Sequence, residues 1–186
     1  KSMKELRSRY GEKIFELLNE TYSDLYGVVE LNDEQIQCFI KQYMGLLSYK
    51  YVRLIVNSKD ELIAFGIGMP NLDVIMQQCR GRLTPISAIK LLYQMRRRYP
   101  KVIDLLLIAT REDYQKHGVN ALLLREVFDF AFEHKIEYFN LCPELETNIK
   151  VTHGFKYFNV IHNKTRRSYI KLFKESDNTN ESAEQA

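Results

Sequence analysis

The sequence predicts an α/β fold in which a sheet of mixed direction carries helices packed on it. Three observations lead there. Apolar residues recur at helical spacing through the first forty positions, the period changes to two near residue 51, and from residue 102 a strand-like run is followed by a helical one and then by another strand. With 186 residues, 45% of them hydrophobic, the chain can bury the core of one compact domain.

From Lys4 to Asp24, Leu6, Tyr10, Ile14, Phe15, Leu17, Leu18 and Tyr22 recur at roughly helical spacing, with Gly11 as a tolerated interruption. After a turn around Gly27, Asn32 or Asp33 can cap a second helix, DEQIQCFIKQYMGLL, with a stripe of Ile36, Phe39, Ile40 and Tyr43. YVRLIVN, the SKDE turn and LIAFGIGM read as a hairpin of strands near 51–57 and 61–69, which Pro70 stops by removing a ladder donor. Helical segments near 71–79 and 86–98 precede a strand at 102–109. A helix at 118–133, a short strand IEYFNL, a polar turn with Pro143 and a pair of strands near 155–161 and 166–173 complete the order.

Three cysteines without regular spacing and no apolar run of about 18 residues argue against a disulfide scaffold and a membrane span. A cytoplasmic protein with no membrane partner is the expectation. KSMKELRS has no signal-peptide pattern and reads as though it begins inside a helix, so a longer parent chain with an additional domain is expected. The domain is placed at 1–173 and a disordered acidic tail at 174–186. The tail carries one lysine against four acids, so the net charge of +3 becomes +6 for the body. That suits an anionic ligand and falls short of a nucleic-acid binder's usual signature. His117, His134, His153 and His162 have no partners at ligand spacing, and no metal is expected.

The stretch REDYQKHGVNALLLREVF follows the strand VIDLLLIAT. The first turn of a helix offers unused N–H groups and the positive end of its dipole, so this loop can take a pyrophosphate, with Gly118 allowing close approach and Gln115, Lys116 and His117 adding donors. A plain surface turn needs only Gly118 in the turn and the leucines in the core.

The run YQKHGVNALL after LLLIAT resembles the acyl-coenzyme A signature of the GNAT superfamily of N-acetyltransferases: Arg or Gln, two residues, Gly, one residue, then Gly or Ala. Gln115 and Gly118 match; Asn120 takes the final small-residue position and Lys116 stands where many members have glycine. The element order resembles the superfamily from its first helix onward, over roughly residues 5–173, without a counterpart of its first strand. The resemblance implies a mixed, mostly antiparallel sheet flanked by helices and acetyl-coenzyme A, or another acyl-coenzyme A, as cofactor. It implies contacts from Ile108, Ala109 and Thr110 to the pantetheine arm and from Gln115, Lys116, His117 and Gly118 to the pyrophosphate, with Val119 and Asn120 opening the helix beneath. The implied reaction is direct attack on the thioester by the amine of a small molecule or peptide.

Asn148 resembles the family's asparagine near the start of its last helix, and Tyr157 is the nearest tyrosine to the position of its proton donor. Glu144 and Glu146, just beyond IEYFNL, can accept an amine proton directly or through water, or can be solvated turn residues. Cys142 can be a packed thiol or an acylated one. Seven basic residues and no acid lie between Arg80 and Lys101. They can form a solvated helix face or meet a ribose phosphate, an acidic substrate or RNA. Beside the N-acyltransferase stand two other readings: a catalytically degenerate binding domain of the same fold and a basic RNA-associated module.

Overall fold

The computed structural model describes residues 2–96, 99–145, 148 and 158–171. The chain divides into two units, Lys1–Asn148 and Ile149–Ala186. In the first, helix α1 (Met3–Tyr22) starts where the Ser2 side chain accepts the Glu5 N–H, and it buries Tyr10, Gly11, Ile14 and Leu17. Gly11 is more than tolerated. A Cβ there would lie 3.4 Å from Met44 Sδ and 3.5 Å from Ile40 Cδ1, so its absence lets α1 approach the second helix closely.

Helix α2 (Asp33–Gln42) opens with a capping box between Asn32 and Gln35 and buries Ile36 and Ile40. It ends five residues before the predicted Leu47, in turns that run through Gly45, a residue that weakens helices. Strands β1 (Val52–Val56) and β2 (Leu62–Pro70) form the expected hairpin. In its turn, Asn57 Oδ1 accepts the N–H groups of Lys59 and Glu61, and Asp60 adopts a φ of 62°. The Asp60 carboxylate receives Arg9 Nη2 and Tyr10 Oη, each at 2.7 Å, which ties the turn to α1.

Two short helices, α3 (Asp73–Gln78) and α4 (Pro85–Arg96), separate the hairpin from β3 (Val102–Thr110). Pro85 takes the first helical position, where its missing N–H has no partner to lose. Helix α5 (Val119–His134) and strand β4 (Tyr138–Leu141) follow.

The sheet order is β1-β2-β3-β4, with two antiparallel pairs and a parallel β3–β4 pair. This is the mixed, mostly antiparallel sheet that was expected. On one face, Phe65 and Ile67 of β2 and Ala109 of β3 join Tyr10, Ile14, Leu17, Ile36, Ile40 and Met44 in the main core. Side chains alternate along a strand, so Gly66 turns to the other face. There α5 lays the fully buried Leu123 over it, 3.6 Å from where a Cβ would stand.

In the second unit, residues 158–171 carry no strand and are exposed throughout, with His162 Nε2 2.9 Å from Thr165 Oγ1. The expected strands are therefore absent across this stretch. Alternating residue types give a strand only a tendency, which tertiary context decides. Residues 155–157 and 172–173 of those predicted strands, and the tail 174–186, lie outside the described residues.

Candidate functional site

The site is built on the two edges of β3. Toward β2 the ladder runs from Ile103 to Thr110, interrupted by a bulge where Ile67 pairs with Leu107 and Gly68 with Leu105. Toward β4 the pairing stops at Leu105 with Leu141, and the last bond is from Cys142 N–H to Leu105 O at 3.3 Å. Arg111 N–H donates to Ile63 O, so the parity of the antiparallel ladder directs Ala109 toward β2 and the backbone groups of Ile108 and Thr110 to the edge that β4 has left. Side chains meet two of these groups. Tyr22 Oη donates to Ile108 O at 3.0 Å, and Gln115 Nε2 donates to Thr110 O at 3.1 Å.

Beyond Thr110, a turn at Glu112–Tyr114 leads into Gln115, Lys116, His117 and Gly118. Lys116 and Gly118 have φ of 69° and 79°. Gly118 is the residue before α5, and nothing lies within 4 Å of where its Cβ would be. Its left-handed backbone favours glycine, and the open space leaves the first turn of α5 accessible. Leu122 N–H bonds Gly118 O; the N–H groups of Val119, Asn120 and Ala121 precede the helical ladder. Lys116 and His117 are exposed beside them. Asn120 hydrogen-bonds the buried Thr110 hydroxyl through its Oδ1, which joins the first turn of the helix to the end of β3.

On the other side of the parting stands Asp104. Its Oδ1 accepts Asn71 Nδ2 at 2.8 Å and Asn140 Nδ2 at 3.0 Å, which fixes the carboxylate between the end of β2 and β4. Asp104 and Glu144 both raise the Cys142 thiol electrostatically, on top of the larger effect of the protein atoms crowded around that otherwise solvent-facing side chain. Burial raises the Tyr22 phenol, and the negative potential of Glu144 adds to it. Glu144 itself is pushed above the usual carboxylate range by the protein around it. Tyr22, Asp104, Cys142 and Glu144 thus share one electrostatic neighbourhood where β3 and β4 separate.

The sequence-derived residues fall into three groups. Ile108, Ala109, Thr110, Gln115, Lys116, His117, Gly118, Val119 and Asn120 form the end of β3 and the loop. Within that group the Gln115 amide braces the loop onto Thr110, and His117 Nδ1 lies 3.0 Å from Gln115 O. Glu144 lies just past β4, and Asn148 bonds its N–H to Leu145 O at 2.9 Å. Glu146 and Tyr157 lie outside the described residues. Two residues of this neighbourhood, Asp104 and Tyr22, were not among the sequence-derived candidates. Asp104 was visible as the one charged residue within VIDLLLIAT. Tyr22 gave no signal, because its spacing made it one more member of the apolar face of α1.

The model of the acetyltransferase (GNAT) family matches residues 11–156. No curated protein sequence matches the chain at a significant level. Among solved structures, a possible acetyltransferase from Clostridium difficile 630 superposes with a TM-score of 0.54 at 10% identity, over 87% of this chain and 93% of that one. An integron cassette protein from the mobile metagenome of V. cholerae gives 0.53 at 14% identity, over 86% and 84%. An aminoglycoside antibiotic 6'-N-acetyltransferase from Acinetobacter haemolyticus gives 0.50 at 17% identity, over 86% and 90%. At such identities the likeness is one of fold.

Proposed function

Because this chain belongs to the acetyltransferase (GNAT) family, we propose that it is an acyl-coenzyme A dependent N-acyltransferase, with acetyl as the first acyl group to test. The observation that carries the reading is the parting of β3 from β4 beside the opened N-terminus of α5. It leaves a strand edge held not by a neighbouring strand but by side chains that an amide-bearing arm could displace, and it opens a row of helix N–H groups to a diphosphate, two features that one donor molecule would use.

The residues present fit such a donor. The N–H groups of Val119, Asn120 and Ala121, with Lys116 and His117 beside them, would hold the pyrophosphate. The edge from Ile108 to Thr110 would hold the pantetheine arm. The acyl thioester supplies an activated carbonyl and a thiolate leaving group.

On the acceptor side, Asp104 receives the proton that the amine nitrogen gives up as its bond to the acyl carbon forms. The bonds from Asn71 and Asn140 hold Asp104 Oδ1, leaving Oδ2 to face the amine. Tyr22 would turn its phenolic proton from Ile108 O to the sulfur as the carbon–sulfur bond breaks, and would regain one from water. Glu144 is the second carboxylate on the acceptor side and favours a cationic amine, small molecule or peptide. Glu146, Tyr157 and Asn148 remain candidates for proton handling and cofactor contact from the family pattern.

Calorimetric titration of acetyl-coenzyme A into the chain and into Gly118→Trp is the first test. Micromolar binding that the variant loses is expected, because a bulky side chain at a left-handed position distorts and fills the loop. Thiol release in the presence of a panel of primary amines is then the measure of turnover. Binding without thiol release under any amine would favour the degenerate, binding-only domain, for which Asn120 at the small-residue position already speaks. Absence of binding by the folded chain would remove the acyltransferase reading.

A further inference from the structure

Helix α4 turns apolar residues outward. Ile86, Ile89 and Tyr93 are 70%, 67% and 73% exposed, and their spacing of three and four places them along one side, with the exposed Leu83 just before the helix. Leu92 flanks this stripe, and Val74 and Met76 are exposed on the adjoining α3. The inward side holds the buried Ser87 and the partly buried Ala88, Leu91, Gln94 and Met95. A surface helix ordinarily turns polar residues outward. Scattered exposed apolar residues need no explanation, but a contiguous stripe of them marks an interaction surface.

The border of the stripe is cationic. Lys90 on α4 and Arg80 and Arg82 in the turn before it are exposed, and no acid occurs in the sequence from Arg80 to Lys101; Asp73, at the start of α3, is the acid of the two helices. We propose that the outer face of α3 and α4 lies on an anionic lipid surface. Ile86, Ile89 and Tyr93 enter the boundary between headgroups and acyl chains, while Arg80, Arg82 and Lys90 meet headgroup phosphates.

Charge and placement select this occupant. A nucleic acid would call for cations at the centre of the contact, whereas here they form its border and the centre is apolar. A second copy meeting through the same face would bring its own cations against these. The expectation of no membrane partner rested on the lack of a spanning run. No described helix is long and apolar enough to cross a bilayer, but a helix lying in the interface needs only one apolar side.

The test is co-sedimentation of the whole chain with vesicles of phosphatidylcholine alone and of phosphatidylcholine mixed with phosphatidylserine. Binding to the mixed vesicles, weakened by salt and much lower on the neutral ones, is the expected result. The double change Ile89→Asp and Tyr93→Asp should abolish it, and Lys90→Gln should weaken it about fivefold. Should the double variant unfold, Ile86→Ser at its exposed position carries the same test. Equal recovery with both vesicles, or no binding to either, would overturn the proposal. So would a dimer in size-exclusion chromatography that Ile89→Asp dissociates.

Discussion

The two edges of β3 do different work with the same residues. Toward β2, the ladder reaches Thr110 and the side chains beside it fill the core; toward β4, it ends at Leu105. Backbone groups beyond that point cannot stay unpaired in a buried strand, and here Tyr22 and Gln115 supply partners that a neighbouring strand would otherwise provide. Side chains can exchange partners where a ladder cannot. The closed edge therefore carries the fold and the open edge the proposed site, and substitutions on the two should separate stability from activity.

The largest effect belongs to the closed edge. Phe65 is fully buried on β2 opposite Ala109, so Phe65→Ala should lower unfolding free energy by about 3–5 kcal/mol in a denaturant titration. A loss below about 1 kcal/mol would mean that this face is not the core. Asp104→Asn tests the open edge. The amide oxygen can still accept from Asn71 and Asn140, so stability should change by no more than about 1 kcal/mol. Turnover, once an amine is found, should fall about 10²–10⁴-fold. Loss of both together would make Asp104 a structural residue and break the comparison.

Tyr22→Phe sharpens it. Removing the hydroxyl leaves Ile108 O without its side-chain partner, at a loss of about 1 kcal/mol in thermal or chemical unfolding. If Tyr22 also donates the proton to sulfur, turnover at saturating substrate should fall at least about tenfold while coenzyme A binding holds. An unchanged turnover would leave Tyr22 as a prop between α1 and β3.

Much of the fold could be read from periodicity because each element up to β4 is amphipathic on its own scale: Ile36 and Ile40 mark α2, and LIAFGIGM marks β2. The loop was legible because Gln115 and Gly118 are close in sequence. Asp104 was a readable anomaly in an apolar strand, yet its meaning depends on Asn71 and Asn140, more than thirty residues away on either side. Tyr22 has the spacing of a core residue and only its hydroxyl does something else, which no local pattern encodes. The outward apolar side of α4 escaped for a related reason. Periodicity tells that a helix has an apolar side, and only the packed structure tells which way it faces.

The smallest effect lies beyond the closed edge, at the turn between β1 and β2. Tyr10 and Arg9 hydrogen-bond the Asp60 carboxylate and hold it below the usual carboxylate range. A depressed carboxylate stabilises the folded state fully above its unfolded value of about 3.9, and the contribution is lost as pH falls through the folded value. Asp60→Asn should therefore melt lower than the parent near neutral pH, and the difference should shrink as acid protonates the parent carboxylate. Because the group is open to solvent, salt should narrow the gap at neutral pH as well. A gap that stayed constant from neutral to strongly acidic pH would show that the charge is idle and that the neutral hydrogen bonds of the turn alone join it to α1.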